Sequence, residues 1–188
     1  MVKSKLTINV GGMFSGKTTE LLRQGKRHLI ANDTVVYIKP NIDDRYAAEE
    51  IVAHTGDCTK ALIFGVDESI LTDDVIGADV VLIDEVQFFN EKIILDIMAL
   101  LFGGTTVYCS GLDLSFEMKP FMVTAKLMCF ADVVNKFKAF CGVCGEDAYI
   151  SAKKDGGNTE TIDVGADDKY IPLCKHCYAV KGALQNEI

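Results

Sequence analysis

The chain has 188 residues, 49% of them hydrophobic, and carries a net charge of −8 with a pI of about 4.9. That apolar fraction supports a buried core and excludes a disordered chain, and the length suits one domain or a core with a small appendage. The acidic balance argues against broad nucleic-acid binding, which wants a basic face, and no run approaches the ~18 apolar residues of a membrane span.

Residues 1–5 pass directly into an apolar run rather than a leader, so a soluble, cytoplasmic protein is expected. That run, Leu6–Val10, reads as a strand and opens onto Gly11-Gly12-Met13-Phe14-Ser15-Gly16-Lys17-Thr18, the pattern G-x-x-x-x-G-K-[ST]. Gly11 and Gly16 let the backbone turn tightly and aim N–H groups inward, as a phosphate cradle requires. Lys17 is placed to reach the β and γ phosphates of a nucleoside triphosphate, and the Thr18 hydroxyl to ligate Mg²⁺. The next helix, expected over residues 17–31, points its positive end at the same anion. Its apolar face is Leu21, Leu22, Gly25 and Leu29; Arg23, Lys26, Arg27 and His28 form the solvated face.

A second strand is expected at 35–38, closed by Lys39-Pro40. Residues 41–60 read as irregular and contain Asp43-Asp44-Arg45. An arginine in such a loop suits a transferring phosphoryl group, or a plain surface ion pair. Val80–Ile83 reads as a buried strand ending in Asp84-Glu85. This resembles a Walker-B end, where the first carboxylate supports Mg²⁺. Glu85 then faces the reacting site, as a general base for an acceptor hydroxyl or as a group polarising water. Helices are expected at 91–102 and 120–131, strands at 105–109 and 133–137. Phe88 and Phe116 follow strand-end polar clusters and suit stacking on a planar base; Phe89 and Phe121 read as core. His28 and His54 read as solvated or satisfied histidines.

Strands alternating with helices predict an α/β fold: a P-loop NTPase-type parallel sheet flanked by helices, with ligands beyond the carboxyl ends of the strands. Residues 1–138 form this nucleotide-binding core. In 139–188 the character changes. Of seven cysteines, four lie in Cys141-Gly-Val-Cys144 and Cys174-Lys-His-Cys177. Two C-x-x-C pairs supply four thiolates to a closed, structural zinc site, and His176 is the alternative ligand. Cys58, Cys109 and Cys129 stand singly in apolar surroundings. Strands at 148–154 and 159–164 are expected to pair across a turn at 155–158.

The ordered set of motifs resembles the type II thymidine kinase family over nearly the whole chain. The matching segments are Gly11 to Leu22, Asp43-Asp-Arg-Tyr46, Ile83-Asp-Glu-Val-Gln-Phe-Phe89, Gly111-Leu-Asp-Leu-Ser-Phe116 with Lys119-Pro-Phe121, and Gly165-Ala-Asp-Asp-Lys-Tyr170 before Cys174. The resemblance implies ATP:thymidine 5′-phosphotransfer, extending to deoxyuridine, with Glu85 as general base and with Lys17 and Arg45 neutralising the γ-phosphoryl. It implies a nucleotide site of Gly11, Gly12, Met13, Phe14, Ser15, Gly16, Lys17, Thr18, Asp84 and Gln87, with Mg²⁺ on Thr18 and Asp84. It implies that Phe116 stacks on thymine among Met13, Leu112 and Phe88. Ser151 would sit near the 5-methyl group, and Thr161, Ile162, Asp163, Val164 and Tyr170 would close over the nucleoside. Gln87 and Asp113 line the region. The C-terminal unit would be a small zinc-ribbon-like lasso whose binding of the base depends on its zinc. The resemblance further implies a homotetramer, feedback by dTTP, and neither nucleic-acid nor membrane partners. Gly12, Val86, Met118 and Asp167 depart from the family's usual residues. The competing readings are a zinc-ribbon P-loop ATPase acting on nucleic acid and a GTP-dependent switch; the latter lacks an N-K-x-D motif, since Asn135-Lys-Phe-Lys138 ends in lysine.

Overall fold

The computed structural model describes residues 4–41, 50–53, 56–154 and 169–185. Asp43, Asp44, Arg45, Tyr46, His54, Asp167, Thr161 to Val164, and the expected turn and second strand across 155–164 lie outside the described residues.

The core is a six-stranded sheet in the order β5-β2-β6-β7-β1-β8. The strands are β1 (Leu6–Val10), β2 (Val35–Pro40), β5 (Leu62–Phe64), β6 (Val80–Ile83), β7 (Thr106–Gly111) and β8 (Val133–Lys136), every neighbouring pair parallel. All five residues of β1 and all four of β6 are buried, because helices cover both faces. Alternation then divides the core. Val80 and Leu82 point to one side, with Leu21 and Leu22 of α1 (Lys17–Ile30). Val81 and Ile83 point to the other, with Ile93 and Ile97 of α3 (Lys92–Phe102) and Val123 and Leu127 of α4 (Met122–Phe130). A one-turn helix, α2 (Asp73–Ile76), precedes β6.

The elements expected from the sequence in this core are present, with these corrections. Residues 41–60 are not wholly irregular: β3 (Glu50–Val52) and β4 (Cys58–Lys60) form an antiparallel pair. Each is three residues long, too short to display a period. β5, an edge strand of three residues, was hidden for the same reason. Leu29 is 52% exposed rather than inward-facing. His28 takes the inward position in that turn of α1, where its Nδ1 lies 2.7 Å from Asp33 Oδ2 and its Nε2 3.0 Å from Tyr108 Oη. Of the single cysteines, Cys109 is buried, but Cys58 and Cys129 are exposed. Gly25 has a packing reason: a Cβ there would lie 2.0 Å from Tyr37 Oη, so the missing side chain lets the Tyr37 ring lie against α1.

Beyond β8, the short strands β9 (Ala139–Phe140) and β10 (Asp147–Ala148) form one antiparallel pair. A second pair joins β11 (Ile150–Lys153) to β12 (Tyr170–Leu173), followed by α5 (Lys175–Gln185). β12 and α5 were not expected. Pro172 interrupts the one, and the cysteine motif masks the other. Ala139, Cys141, Ala148, Ala152 and Leu173 make a small separate core here, and Phe14 of the loop after β1 packs against it.

Candidate active site

Sheet register sets the rim. Val10 lies opposite Gly111 and Lys136, and Ile83 opposite Cys109. The loops leaving β1, β6, β7 and β8 therefore emerge side by side at the carboxyl ends of the strands.

The loop after β1 has the conformation its glycines permit. Gly11 has φ +146°, and a Cβ on it would meet the Phe137 carbonyl oxygen at 2.4 Å; Gly16 has φ +86°. Phe14 also adopts a left-handed backbone, φ 62°, a conformation side chains disfavour and functional loops retain. Ser15 Oγ and Lys17 Nζ both donate to the Gly12 carbonyl at 2.8 Å. Lys17 is buried, and Ser110 Oγ donates to its carbonyl at 3.3 Å. The loop is thus braced from within and from β7.

Thr18 and Asp84, the two residues expected to hold Mg²⁺, lie side by side: Thr18 Oγ1 donates to Asp84 Oδ2 at 3.1 Å. Burial, then the neighbouring Glu85 carboxylate, push the Asp84 carboxyl up to about 7; the Glu85 backbone, Thr18 and Lys17 pull the other way. A buried carboxyl raised in this way gains from a cation beside it. Together with the Thr18 hydroxyl it offers the hard oxygen donors that Mg²⁺ takes.

Glu85 sits at φ 49°, ψ 41°, turning the chain sharply into a 3₁₀ turn at Val86–Phe88. Gln87 in that turn is buried. Its Nε2 donates to Glu85 Oε2 at 2.5 Å, and its Oε1 accepts from the Leu112 N–H at 3.0 Å. Gln87 therefore faces Glu85 and the loop after β7. Phe88 is half-buried, and Phe89 is core.

The loop after β7 carries Leu112, Asp113 and Phe116. Lys153 Nζ of β11 stands 4.2 Å from the Phe116 ring centroid, a cation–π contact, and Tyr178 Oη of α5 donates to the Phe116 carbonyl at 3.1 Å. The Cys-rich unit also reaches the phosphate loop: the Met13 N–H donates to Ser151 Oγ at 2.8 Å. Tyr170, opposite Lys153 in the β11–β12 register, is buried. Asp113 is buried with Oδ2 2.8 Å from Lys136 Nζ. Lys136, Lys153 and Tyr178 were not singled out by sequence reasoning. For Lys136 a signal existed, a charged residue ending a parallel strand on the ligand-bearing rim.

The Sγ atoms of Cys141, Cys144, Cys174 and Cys177 all lie within 4.8 Å of one another, with Cys144 and Cys174 3.7 Å apart. Four ligands at the Zn–S distance of about 2.3 Å require sulfurs about 3.8 Å apart, so the cluster has tetrahedral zinc dimensions. Burial pushes the Cys141 thiol up, but hydrogen bonds from the backbone at Cys174, Cys144 and Val143 outweigh it and bring the group down to about 6. The Cys177 thiol is pushed the other way, to about 12, by its neighbours Cys174 and Cys144, and Cys144 is raised as well, so the proton lost most readily in the metal-free cage is that of Cys141. His176 is exposed and outside this cluster.

Among solved structures, the large terminase of a thermophilic bacteriophage aligns at a TM-score of 0.43 and 10% identity, over 72% of this chain and 41% of that one. The present chain thus spans less than half of the terminase's length. The family model described as thymidine kinase matches residues 4–178, from the first strand through the last cysteine. With a braced glycine loop after β1, an acidic pair on the adjoining rim and a four-cysteine cluster inside the matched span, the chain belongs to the thymidine kinase family.

Proposed function

We propose that the protein transfers the γ-phosphoryl group of ATP to the 5′-hydroxyl of thymidine, and of deoxyuridine, with Glu85 as general base. The observation that carries this reading is the meeting of three strand-end loops. The phosphate loop, the Asp84–Glu85 pair and the Leu112–Phe116 loop are joined by Thr18–Asp84 and Gln87 hydrogen bonds. The family match supports nucleoside phosphorylation, and it does not favour the nucleic-acid ATPase alternative.

The triphosphate lies against the N–H groups of residues 11–18 and the N-terminus of α1. Lys17 leaves the Gly12 carbonyl to pair with phosphate oxygens. Mg²⁺ at Thr18 and Asp84 supplies charge neutralisation on the phosphates. Glu85 accepts the 5′-hydroxyl proton as the oxygen–phosphorus bond forms and the β,γ-bridging bond breaks, releasing ADP. Arg45 adds positive charge at the γ-phosphoryl. Phe116 stacks on the base with Met13, Leu112 and Phe88 around it, and Ser151 stands by the 5-methyl position. Backbone of residues 161–164 and Tyr170 complete the enclosure, which excludes water and disfavours hydrolysis. Residues 1–138 serve as the catalytic core and 139–188 as the zinc-stapled lasso. A cytoplasmic homotetramer inhibited by dTTP completes the reading.

The test is Glu85→Gln. The expected result is a loss of about 10²–10⁴-fold in kcat with thymidine binding retained. Turnover near that of the parent protein overturns the assignment of the base.

A further inference from the structure

Gln87 makes two hydrogen bonds that together cross from the loop after β6 to the loop after β7. Its amide nitrogen donates to Glu85 Oε2 at 2.5 Å, and its amide oxygen accepts the Leu112 N–H at 3.0 Å. The side chain is buried. A third observation is independent of these bonds. A Cβ built on Gly111 would lie 2.7 Å from Gln87 Oε1 and 2.9 Å from Val86 Cγ1, so the amide occupies space that any side chain at position 111 would take.

The chemistry selects glutamine. The position needs a donor on one side and an acceptor on the other, which a primary amide supplies in one rigid plane. Glutamate keeps the acceptor, loses the donor and sets a third carboxylate beside Asp84 and Glu85. Methionine fills similar space with neither. Glu85 needs the help, because its left-handed backbone (φ 49°) is a conformation that L residues rarely adopt and that only surrounding contacts maintain.

We propose that Gln87 is a positioning residue that sets the Glu85 carboxylate and ties it to the nucleoside-bearing loop at Leu112. Alignment of the base then depends on the placement of the loop that carries Phe116. The inference rests on reading Glu85 as the general base. The amide nitrogen is engaged by the Glu85 carboxylate and the amide oxygen by the Leu112 N–H, so in this role it acts through those two groups. Misplacing a reacting group by about 1 Å can cost about 10²-fold, so the effect is large enough to measure.

The test compares Gln87→Glu, Gln87→Met, Gly111→Ala and Glu85→Gln, each zinc-loaded and assayed with ATP, Mg²⁺ and thymidine. Gln87→Glu is expected to lower kcat about 10–100-fold with KM for thymidine within about threefold, because the Leu112 acceptor survives. Gln87→Met is expected to lower kcat and also raise KM. Gly111→Ala, whose Cβ crowds the amide oxygen, is expected to lower kcat as well. A Gln87→Met kcat within threefold of the parent overturns the proposal. Should Gln87→Met fail to fold, the KM-against-kcat split in Gln87→Glu decides alone: a change in KM only overturns it. Full turnover in Glu85→Gln overturns the underlying reading of the base as well. An inactive Glu85→Gln beside a fully active Gln87→Met overturns only the positioning role.

Discussion

The Met13 N–H donates to the Ser151 hydroxyl at 2.8 Å, joining residues 138 positions apart and fastening the Cys-rich unit to the phosphate loop. Gly12 belongs to the same contact: a Cβ there would stand 3.1 Å from Ser151 Oγ and 3.4 Å from the Tyr149 carbonyl oxygen. The four cysteines bracket the strand that bears Ser151, so order at the cysteine cluster reaches the loop after β1 through this hydroxyl and through Phe14, which packs on the same small core. Chelation of zinc is therefore expected to lower the melting temperature and to abolish thymidine binding, both restored by stoichiometric zinc. Ser151→Ala is expected to weaken ATP binding about three- to tenfold, the worth of one hydrogen bond, with zinc content unchanged. Calorimetric titration with a non-hydrolysable ATP analogue and a zinc assay check both.

Lys136 and Asp113 form a further link across the rim, with Asp113 Oδ2 2.8 Å from Lys136 Nζ. The lysine is about half exposed and the aspartate almost wholly covered. Removing the lysine strands a covered carboxylate, whereas removing the aspartate frees a lysine that water can solvate. Lys136→Met is expected to cost about 1–3 kcal/mol in urea unfolding, and Asp113→Asn clearly less. Equal costs would contradict this asymmetry.

Asp84 gives a pH dependence with a definite sign. Its carboxyl is pushed up to about 7 in the folded protein, first by burial and then by the Glu85 carboxylate, from an ordinary value of 3.8. The folded state holds this proton more tightly than the unfolded chain does. The contribution to stability is complete below pH 4 and is lost as the pH rises towards and through 7. Asp84→Asn is expected to raise the metal-free melting temperature by a few degrees at pH 8, to have little effect at pH 4, and to abolish turnover at either. Thermal melts at the two pH values, without Mg²⁺, read the difference directly. A variant less stable than the parent at pH 8 would contradict the burial argument.

Much of the rim was legible because parallel strands buried on both faces announce themselves as unbroken apolar runs. Val80–Ile83 is one, and the polar residues after such a run fall where ligands bind. The turn after β1 was legible because its glycines have a backbone reason to be there, and Gly11 has φ +146°. The four cysteines were legible through their spacing. What was not legible depends on tertiary placement. Gln87 could be seen beside Glu85 but not its two bonds, since these follow from a left-handed turn at a glutamate that no period forecasts. Lys153 over Phe116 requires knowing that β11 lies against the loop after β7. β12 was missed because its pairing partner is β11, from which residues 154–169 separate it, and Pro172 argues locally against a strand.

The most direct test of the central claim is a phosphorylation assay with ATP and Mg²⁺ on the zinc-loaded protein, across thymidine, deoxyuridine, deoxycytidine and guanosine. The account predicts fast transfer to thymidine and deoxyuridine, with the product phosphorylated at the 5′ position, and none to the other two. No transfer to any nucleoside from folded, zinc-loaded protein would contradict it.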